Sequence, residues 1–213
     1  MKPEYKTVKE HGIYEYETKK SRFIANVMPV TTEESAQEFL NSIRSQHKTA
    51  AHNVYAYVLQ EGNIDRFSDA GEPSGTAGLP VLDAMRKRGI TDCAVVVTRY
   101  FGGTLLGGGG LVRAYGHSAS GGVTAARPIL CKLCDIFSVS CDYHLQGKVE
   151  YALRSGPHTI EDTLFDTHVT YIVCVSLGLG EAFINEMTEV TSGGAITLKI
   201  DHQYTESEVF ENG

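Results

Sequence analysis

Six glycines lie within nine positions, from Gly102 to Gly110, and they limit what this part of the chain can form. The preceding residues 94–98 (AVVVT) are typical of a strand buried on both faces. Residues 111–126 then predict a helix, interrupted at Gly121 and Gly122. Glycines let backbone N–H groups approach a ligand, and a helix N-terminus adds unpaired N–H groups. The pattern therefore predicts a strand, an anion-binding glycine loop and a helix.

Nothing in this glycine loop completes a known nucleotide-binding fingerprint. The dinucleotide-binding motif GxGxxG is absent, because Val112 or Arg113 occupies the position of its third glycine. The P-loop motif GxxxxGK[ST] is absent as well, because Gly107 is followed by Gly108 where the motif requires lysine. Arg99 before the loop and Arg113 after it would supply charge-assisted hydrogen bonds to a phosphate or carboxylate. The alternative is that the glycines serve only close backbone packing.

Before the glycine loop, the sequence predicts alternating strands and helices. Strands are expected at residues 23–30, 53–59 and 64–68, and a loop at 69–78. Thr31 and Glu34 form a capping-box pattern ahead of an amphipathic helix. A second helix is expected through Met85, ending at Gly89.

A domain boundary is expected at Arg127-Pro128, which divides the chain into residues 1–128 and 129–213. Beyond it, strands are predicted at 136–141, 159–165, 169–177 and 196–202. Helical patterns end at Gly156-Pro157 and at Gly193-Gly194. The order βαββαβ is that of a ferredoxin-like domain.

Charge is distributed unevenly between these two parts. Residues 1–128 carry 15 Lys+Arg and 13 Asp+Glu, whereas residues 129–213 carry 4 and 13, so their balances are +2 and −9. Phosphate binding depends on Lys and Arg, so nucleic-acid contacts are expected only in the first part. The alternative is that residues 129–213 bind RNA by stacking bases on Tyr171 or Tyr204.

The chain has no apolar run of the roughly 20 residues that would cross a bilayer and no signal-peptide pattern at its start, so a cytoplasmic protein is expected. Its five cysteines are odd in number, which argues against a disulfide framework. The CxxC of Cys131 and Cys134 has no second pair and precedes a strand, so these cysteines are expected to be structural. No metal site and no cofactor are predicted.

Polar residues around the 69–78 loop are weak candidates for catalysis. His52, Asp69 and Glu72 together would allow acid–base chemistry, although turn formation explains Asp69 equally simply. The basic run of Lys19, Ser21 and Arg22 precedes a strand and is a second candidate for phosphate contact.

Five segments in this order resemble the YigZ/IMPACT family: KxSRFIA from Lys19, HNxYAY from His52, DxGEPSGTAG from Asp69, VVTRYFGG from Val96 and GGLVRAY from Gly109. The resemblance covers residues 1–128, and the remainder is similar to the family's shorter bacterial C-terminal domain. Ala70 replaces a family aspartate and Leu105 a family lysine, which weakens metal and phosphate binding respectively.

The resemblance implies an α+β protein with two domains. The first is expected to be a ribosomal-protein-like βαβ domain with a left-handed crossover, and the second a ferredoxin-like domain similar to domain five of elongation factor G. Eukaryotic relatives act in translational control by binding a protein partner.

The leading hypothesis is therefore a translation-linked binding protein that contacts RNA, the ribosome or a translation factor through residues 1–128. The residues expected to bind an anion or nucleic acid are Lys19, Ser21, Arg22, Arg99, Gly102, Gly103, Gly109, Gly110 and Arg113. The alternatives are a hydrolase of a small anionic substrate, using His52 with Asp69 or Glu72, and a purely protein-binding module.

Overall fold

The computed structural model describes residues 2–209 and divides the chain into two compact units. The N-terminal unit comprises Tyr5–Leu130 together with Ser207–Val209. The C-terminal unit comprises Cys131–Glu206 together with Lys2–Glu4. No helix in the described part of the chain is both long enough and apolar enough to cross a membrane.

The first nine helices and strands in chain order are β1 (Glu4–Val8), β2 (Gly12–Thr18), β3 (Ser21–Pro29), α1 (Glu33–Gln46), β4 (His52–Leu59), β5 (Ile64–Ser68), α2 (Gly78–Lys87), β6 (Cys93–Tyr100) and α3 (Gly108–Ala125). Five strands form an antiparallel sheet in the order β2-β3-β6-β4-β5. Helices α2 and α3 cover one face of this sheet, and α1 covers the other. Because β6 is buried on both faces, its sequence is a continuous apolar run, as predicted.

Strand β2 was not predicted, although its sequence contains the signal. Tyr14 and Tyr16 are half-buried and alternate with exposed Glu15 and Glu17, a spacing typical of a strand with one face on a core. The capping box of α1 also lies one residue further on than expected. Thr32 and Ser35 form it, each side chain accepting a hydrogen bond from the other residue's backbone N–H.

Helix α3 differs from the prediction at both glycine clusters. It begins at Gly108, so Gly109 and Gly110 belong to its first turn and the loop ends at Gly107. It also runs unbroken through Gly121 and Gly122. A Cβ on Gly121 would lie 2.4 Å from Tyr14 Cδ1, so this glycine permits close packing of α3 against β2.

The remaining helices and strands are β7 (Pro128–Cys141), α4 (Gln146–Ser155), β8 (Thr159–Phe165), β9 (Val169–Ser176), α5 (Gly180–Thr191) and β10 (Ala195–Glu208). Apart from residues 128–130 and 207–208, they lie in the C-terminal unit. Strands β7, β9 and β8 pair in that order, and β10 pairs with β7. Helices α4 and α5 pack on the sheet through Leu153, Phe183 and Met187. The α+β class is confirmed, and the succession βαββαβ is compatible with the predicted ferredoxin-like arrangement.

One alternative for this unit is excluded at Tyr171, and the expectation that its cysteines form no disulfide was wrong. Tyr171 is only 1% exposed, in the core beneath the helices, so it is not available for base stacking. Cys134 and Cys174 form a disulfide. The register pairs Cys134 with Ser176 and Ile136 with Cys174, so the two cysteines are diagonal neighbours on adjacent strands. Spacing along the sequence, 40 residues, does not reveal such a pair.

Candidate functional site

A two-residue turn, Lys19-Lys20, joins β2 to β3 in the N-terminal unit. Thr18 and Ser21 are paired across it, and both lysines have positive φ angles, 46° and 64°. Two-residue hairpins favour such left-handed turns, but they normally use Asn or Gly because other side chains are strained there. Both lysines are exposed, and neither forms an ion pair within residues 2–209. The turn therefore presents two unpaired cations on a strained backbone.

The glycine loop packs directly against this basic turn. A Cβ on Gly102 would lie 1.9 Å from the backbone oxygen of Lys20, so only glycine fits there. The Gly102 N–H also donates a hydrogen bond of 3.3 Å to Ser21 Oγ. Gly102 and Ser21, both predicted to bind an anion, thus hold the turn in place.

The other predicted cations have different surroundings. Arg22 donates two hydrogen bonds to the Glu15 carboxylate, of 3.1 and 2.8 Å. These bonds, above all other effects, lower the pKa of Glu15. Arg22 is therefore already neutralised, whereas Arg113 is exposed and has no ion pair among the described residues. Its guanidinium lies beside Gly109, in the first turn of α3.

Arg99 lies on the α2–α3 face of β6, where its charge is buried. Its side chain is 6% exposed, and its Nη1 donates a 2.6 Å hydrogen bond to Glu72 Oε1. The rings of Phe23 and Phe101 each lie 5.6 Å from the guanidinium carbon, a distance suited to cation–π contact. Arg99 is therefore held by a carboxylate and two aromatic rings.

Glu72 is the centre of this buried cluster, with a side chain only 3% exposed. Tyr115, on α3, donates a 2.7 Å hydrogen bond to the same oxygen, Oε1. Burial, and then this bond to Glu72, raise the pKa of Tyr115. Tyr115 was not predicted as a site residue, because nothing in its local sequence indicates that it faces Glu72, 43 positions earlier.

His52 begins β4, directly opposite Arg99 on β6. Its Nδ1 lies 2.9 Å from the Ala70 carbonyl oxygen, and its Nε2 lies 3.9 Å from Glu72 Oε2. His52, Glu72 and Arg99 line a cavity of about 500 Å³ together with Gly107 and Gly108. The structure thus brings three predicted residues to one cavity at the start of α3.

Asp69 shapes the 69–78 loop and does not line this cavity. Its Oδ2 accepts the Gly75 N–H at 2.9 Å, and its Oδ1 accepts those of Ala77 and Gly78 at 3.0 and 2.8 Å. Burial by itself raises the pKa of Asp69, but the three backbone N–H groups outweigh it and lower the pKa. Asp69 is therefore an ionised acceptor that organises the turn before α2.

The described residues contain no cluster of three or more His, Cys, Asp or Glu side chains that could hold a metal ion. Leu105, at the family's lysine position, is 82% exposed at the mouth of the cavity. Ala70 has a positive φ of 46°, and its carbonyl orients His52.

Comparison with known proteins agrees with the resemblance recognised in the sequence. The Impact N-terminal domain family matches residues 19–123, and a domain of unknown function (DUF1949) matches residues 139–193. A crystal structure of a hypothetical protein is similar, with a TM-score of 0.60 and 28% identity, covering 94% of this chain and 99% of that chain.

Two bacterial relatives are similar over most of their length. The IMPACT family member YigZ of Escherichia coli strain K12 is 33% identical, covering 87% of this chain and 92% of the relative. The IMPACT family member YvyE of Bacillus subtilis strain 168 is 42% identical, covering 96% of this chain and 95% of the relative. Because both chains are matched almost from end to end, this protein belongs to the IMPACT family.

Proposed function

We propose that this protein is a cytoplasmic, translation-linked binding protein whose N-terminal unit contacts RNA through the Lys19-Lys20 turn. The observation that carries the proposal is the turn itself: two exposed, unpaired lysines held in left-handed conformations by Gly102 and Ser21. Backbone strain that persists at an exposed site is a reason to look for function there. The family's role in translational control in eukaryotes supports the link to translation.

The start of α3 supports the same proposal. The first N–H groups of a helix have no intrahelical partner and carry partial positive charge, which favours phosphate. The glycine loop connects Gly102, which packs on Lys20, to this helix start. Arg113 adds an exposed guanidinium beside Gly109. Turn, loop and helix start therefore all favour an anionic partner.

Cations are scarcer in the C-terminal unit, and two of them are already paired. Lys199 Nζ lies 2.7 Å from Asp135 Oδ1, and Arg154 Nη2 lies 2.9 Å from Glu150 Oε1. Lys2, Lys132 and Lys148 are its remaining Lys and Arg side chains. The proposal therefore assigns RNA contact to residues 1–128 alone.

The test is RNA binding by a variant that keeps the turn and removes its charge. Lys19→Asn with Lys20→Gly gives the residues that a left-handed two-residue turn prefers, so the hairpin is retained. Fluorescence anisotropy with single-stranded RNA, from low to moderate salt, should show weaker binding. The slope of log K against log salt should become shallower by about 0.7 for each phosphate that the variant no longer neutralises.

Lys132→Asn with Lys148→Gly is the matched control and should bind RNA as the unaltered protein does. Co-sedimentation with ribosomes provides a second readout of the same pair of variants. If the unaltered protein associates with neither RNA nor ribosomes at low salt, where phosphate contacts are strongest, the proposal is wrong.

A further inference from the structure

The cavity beside Glu72 has an apolar wall and a small polar floor. Phe101, Leu105, Leu106 and Leu111 line it, and its volume of about 500 Å³ lies within the range of small-molecule sites. Glu72, His52 and Arg99 provide its polar side chains. This combination of a mostly apolar wall with a few convergent polar groups is typical of a ligand pocket.

When His52 is neutral, two hydrogen-bond acceptors face each other in this cavity, Nε2 of His52 and Oε2 of Glu72. The Ala70 carbonyl can only accept, so the hydrogen of neutral His52 lies on Nδ1 and its Nε2 presents a lone pair. Glu72 uses Oε1 for both Arg99 and Tyr115, and within residues 2–209 its Oε2 accepts no hydrogen bond. Nε2 and Oε2 lie 3.9 Å apart, so one donor atom can reach both at about 2.9 Å.

The nearby cation does not change the preference for a donor. Arg99 Nη1 is engaged by Glu72, and Arg99 Nε is buried with no hydrogen-bond partner in the described chain. The rings of Phe23 and Phe101 lie against the guanidinium. The charge of Arg99 is thus already balanced by the Glu72 carboxylate, and a ligand carboxylate that entered the cavity would also be repelled by Glu72.

We propose that this cavity binds a small ligand whose head group is a nitrogen carrying at least two N–H bonds, with a short apolar body. Both a primary ammonium and a primary carboxamide have this chemistry. The two N–H groups would donate to Glu72 Oε2 and His52 Nε2, and the apolar body would contact Phe101, Leu106 and Leu111. Lys19 and Lys20 do not line this cavity, although Gly107 and Gly108 at the start of α3 do. Because the ligands and the readouts of the two proposals differ, either proposal can fail without the other.

Three probes with the same branched body separate the head groups. 3-Methylbutylamine carries the ammonium, 3-methylbutanamide the carboxamide and 3-methylbutanoate the carboxylate. The carboxylate would bind best if the N–H groups at the start of α3 determined the preference of the site. Such small ligands should bind with a Kd of roughly 1 mM. Long-range ¹H–¹⁵N spectra of the imidazoles report directly on His52 Nε2.

We expect at least one of the two N–H probes to shift the His52 Nε2 resonance in a saturable way, with 3-methylbutanoate much weaker. If only the ammonium binds, or only the carboxamide, that result identifies the preferred head group. Failure of both N–H probes to bind, or binding of 3-methylbutanoate as tightly as either, overturns the proposal.

A cavity-filling variant locates the binding. Ala51 is exposed and lines the cavity, so Ala51→Phe should block it without disturbing the core, and the shift should disappear. Ser74→Phe adds the same ring at an exposed position outside the lining and should bind as before. Thermal unfolding of both variants checks that they are folded. Unchanged binding by folded Ala51→Phe would place the ligand elsewhere and refute the assignment.

Discussion

Arg99 and Glu72 form an ion pair of 2.6 Å in which both side chains are more than nine-tenths buried. They are 27 positions apart in the sequence, and the pair joins the central strand β6 to the loop before α2. Two buried charges gain little over an apolar pair, but a single one left behind is costly. The pair therefore makes the position of the 69–78 loop dependent on β6.

Removing one partner should cost much more than removing both. Glu72→Leu leaves the Arg99 charge buried and unpaired, so it should lower the free energy of unfolding by about 3–5 kcal/mol. Adding Arg99→Met to that variant should restore much of the loss, because no buried charge then remains. Urea denaturation of the single and double variants measures both values.

Glu15→Leu is the control, because its pair with Arg22 is half exposed and should contribute little to stability. If Glu72→Leu proved no more destabilising than the double variant, Arg99 would have found another partner or solvent. The buried pair would then not be what holds the loop.

The sequence was most informative where one physical signal dominated. The continuous apolar run of β6 and the β-branched and aromatic pattern of β4 predicted both strands to within a residue or two. The helical periodicities also located α1, α4 and α5. These signals are local, because each strand or helix carries its own pattern of burial.

The cavity cluster depended on contacts that no local pattern records. His52, Glu72 and Arg99 were each singled out, but the sequence grouped Asp69 with His52 and Glu72 and placed Arg99 with the glycine loop. It omitted Tyr115. Strand register places His52 opposite Arg99, and the packing of α3 brings in Tyr115. The backbone N–H groups of Gly75, Ala77 and Gly78 engage Asp69 instead. Long-range register and helix packing therefore decided the membership of the site.

Glycines of the 102–110 run should differ sharply in their tolerance of alanine. At Gly102 a Cβ would lie 1.9 Å from Lys20 O, a backbone atom, so Gly102→Ala must displace the turn and should cost about 1–3 kcal/mol or more. At Gly108 the nearest atom would be Thr76 Cγ2 at 3.8 Å, so Gly108→Ala should be neutral or stabilising by up to about 1 kcal/mol.

Chemical denaturation of the two variants gives this comparison directly. The displaced turn of Gly102→Ala should also weaken RNA binding, because Lys20 moves with it. Equal stability of the two variants would contradict the close approach of loop and turn.

Within α3, packing should override helix propensity at one glycine and not at another. Gly121→Ala places a Cβ 2.4 Å from Tyr14 Cδ1 and threatens the 3.0 Å hydrogen bond between Tyr14 and His117. We expect a net loss of about 1–3 kcal/mol, despite the gain in propensity. Gly116→Ala meets only Pro80 O, at 3.8 Å, and should gain about 0.5–1 kcal/mol. Thermal or urea unfolding measures both changes in stability. A loss for Gly121→Ala with a gain for Gly116→Ala supports the packing of α3 on β2, and a gain for both variants would contradict it.

The stabilising effect of Asp69 should depend on pH in one direction. Because its pKa in the folded protein lies below the ordinary value of 3.8, ionised Asp69 stabilises the fold above about pH 4. That contribution is lost as the pH falls through the lower, folded-state pKa. In Asp69→Asn, the side-chain amide places an NH₂ donor where one carboxylate oxygen accepted a backbone N–H, so two donors face each other. The amide also carries no charge and does not titrate. The variant should therefore be less stable at pH 7, by about 1.5–3 kcal/mol, since hydrogen bonds to a charged group are lost.

The difference between the unaltered protein and Asp69→Asn should narrow from pH 4 to pH 2, because protonated Asp69 loses the same charge. Urea denaturation at each pH measures this difference. Ser74→Ala, in the same loop, changes no titrating group, so its difference from the unaltered protein should not vary over this range. A constant difference for Asp69→Asn from pH 7 to pH 2 would mean that the charge of Asp69 is not what the backbone N–H groups of Gly75, Ala77 and Gly78 stabilise. The loop before α2 would then be held chiefly by the burial of Glu72.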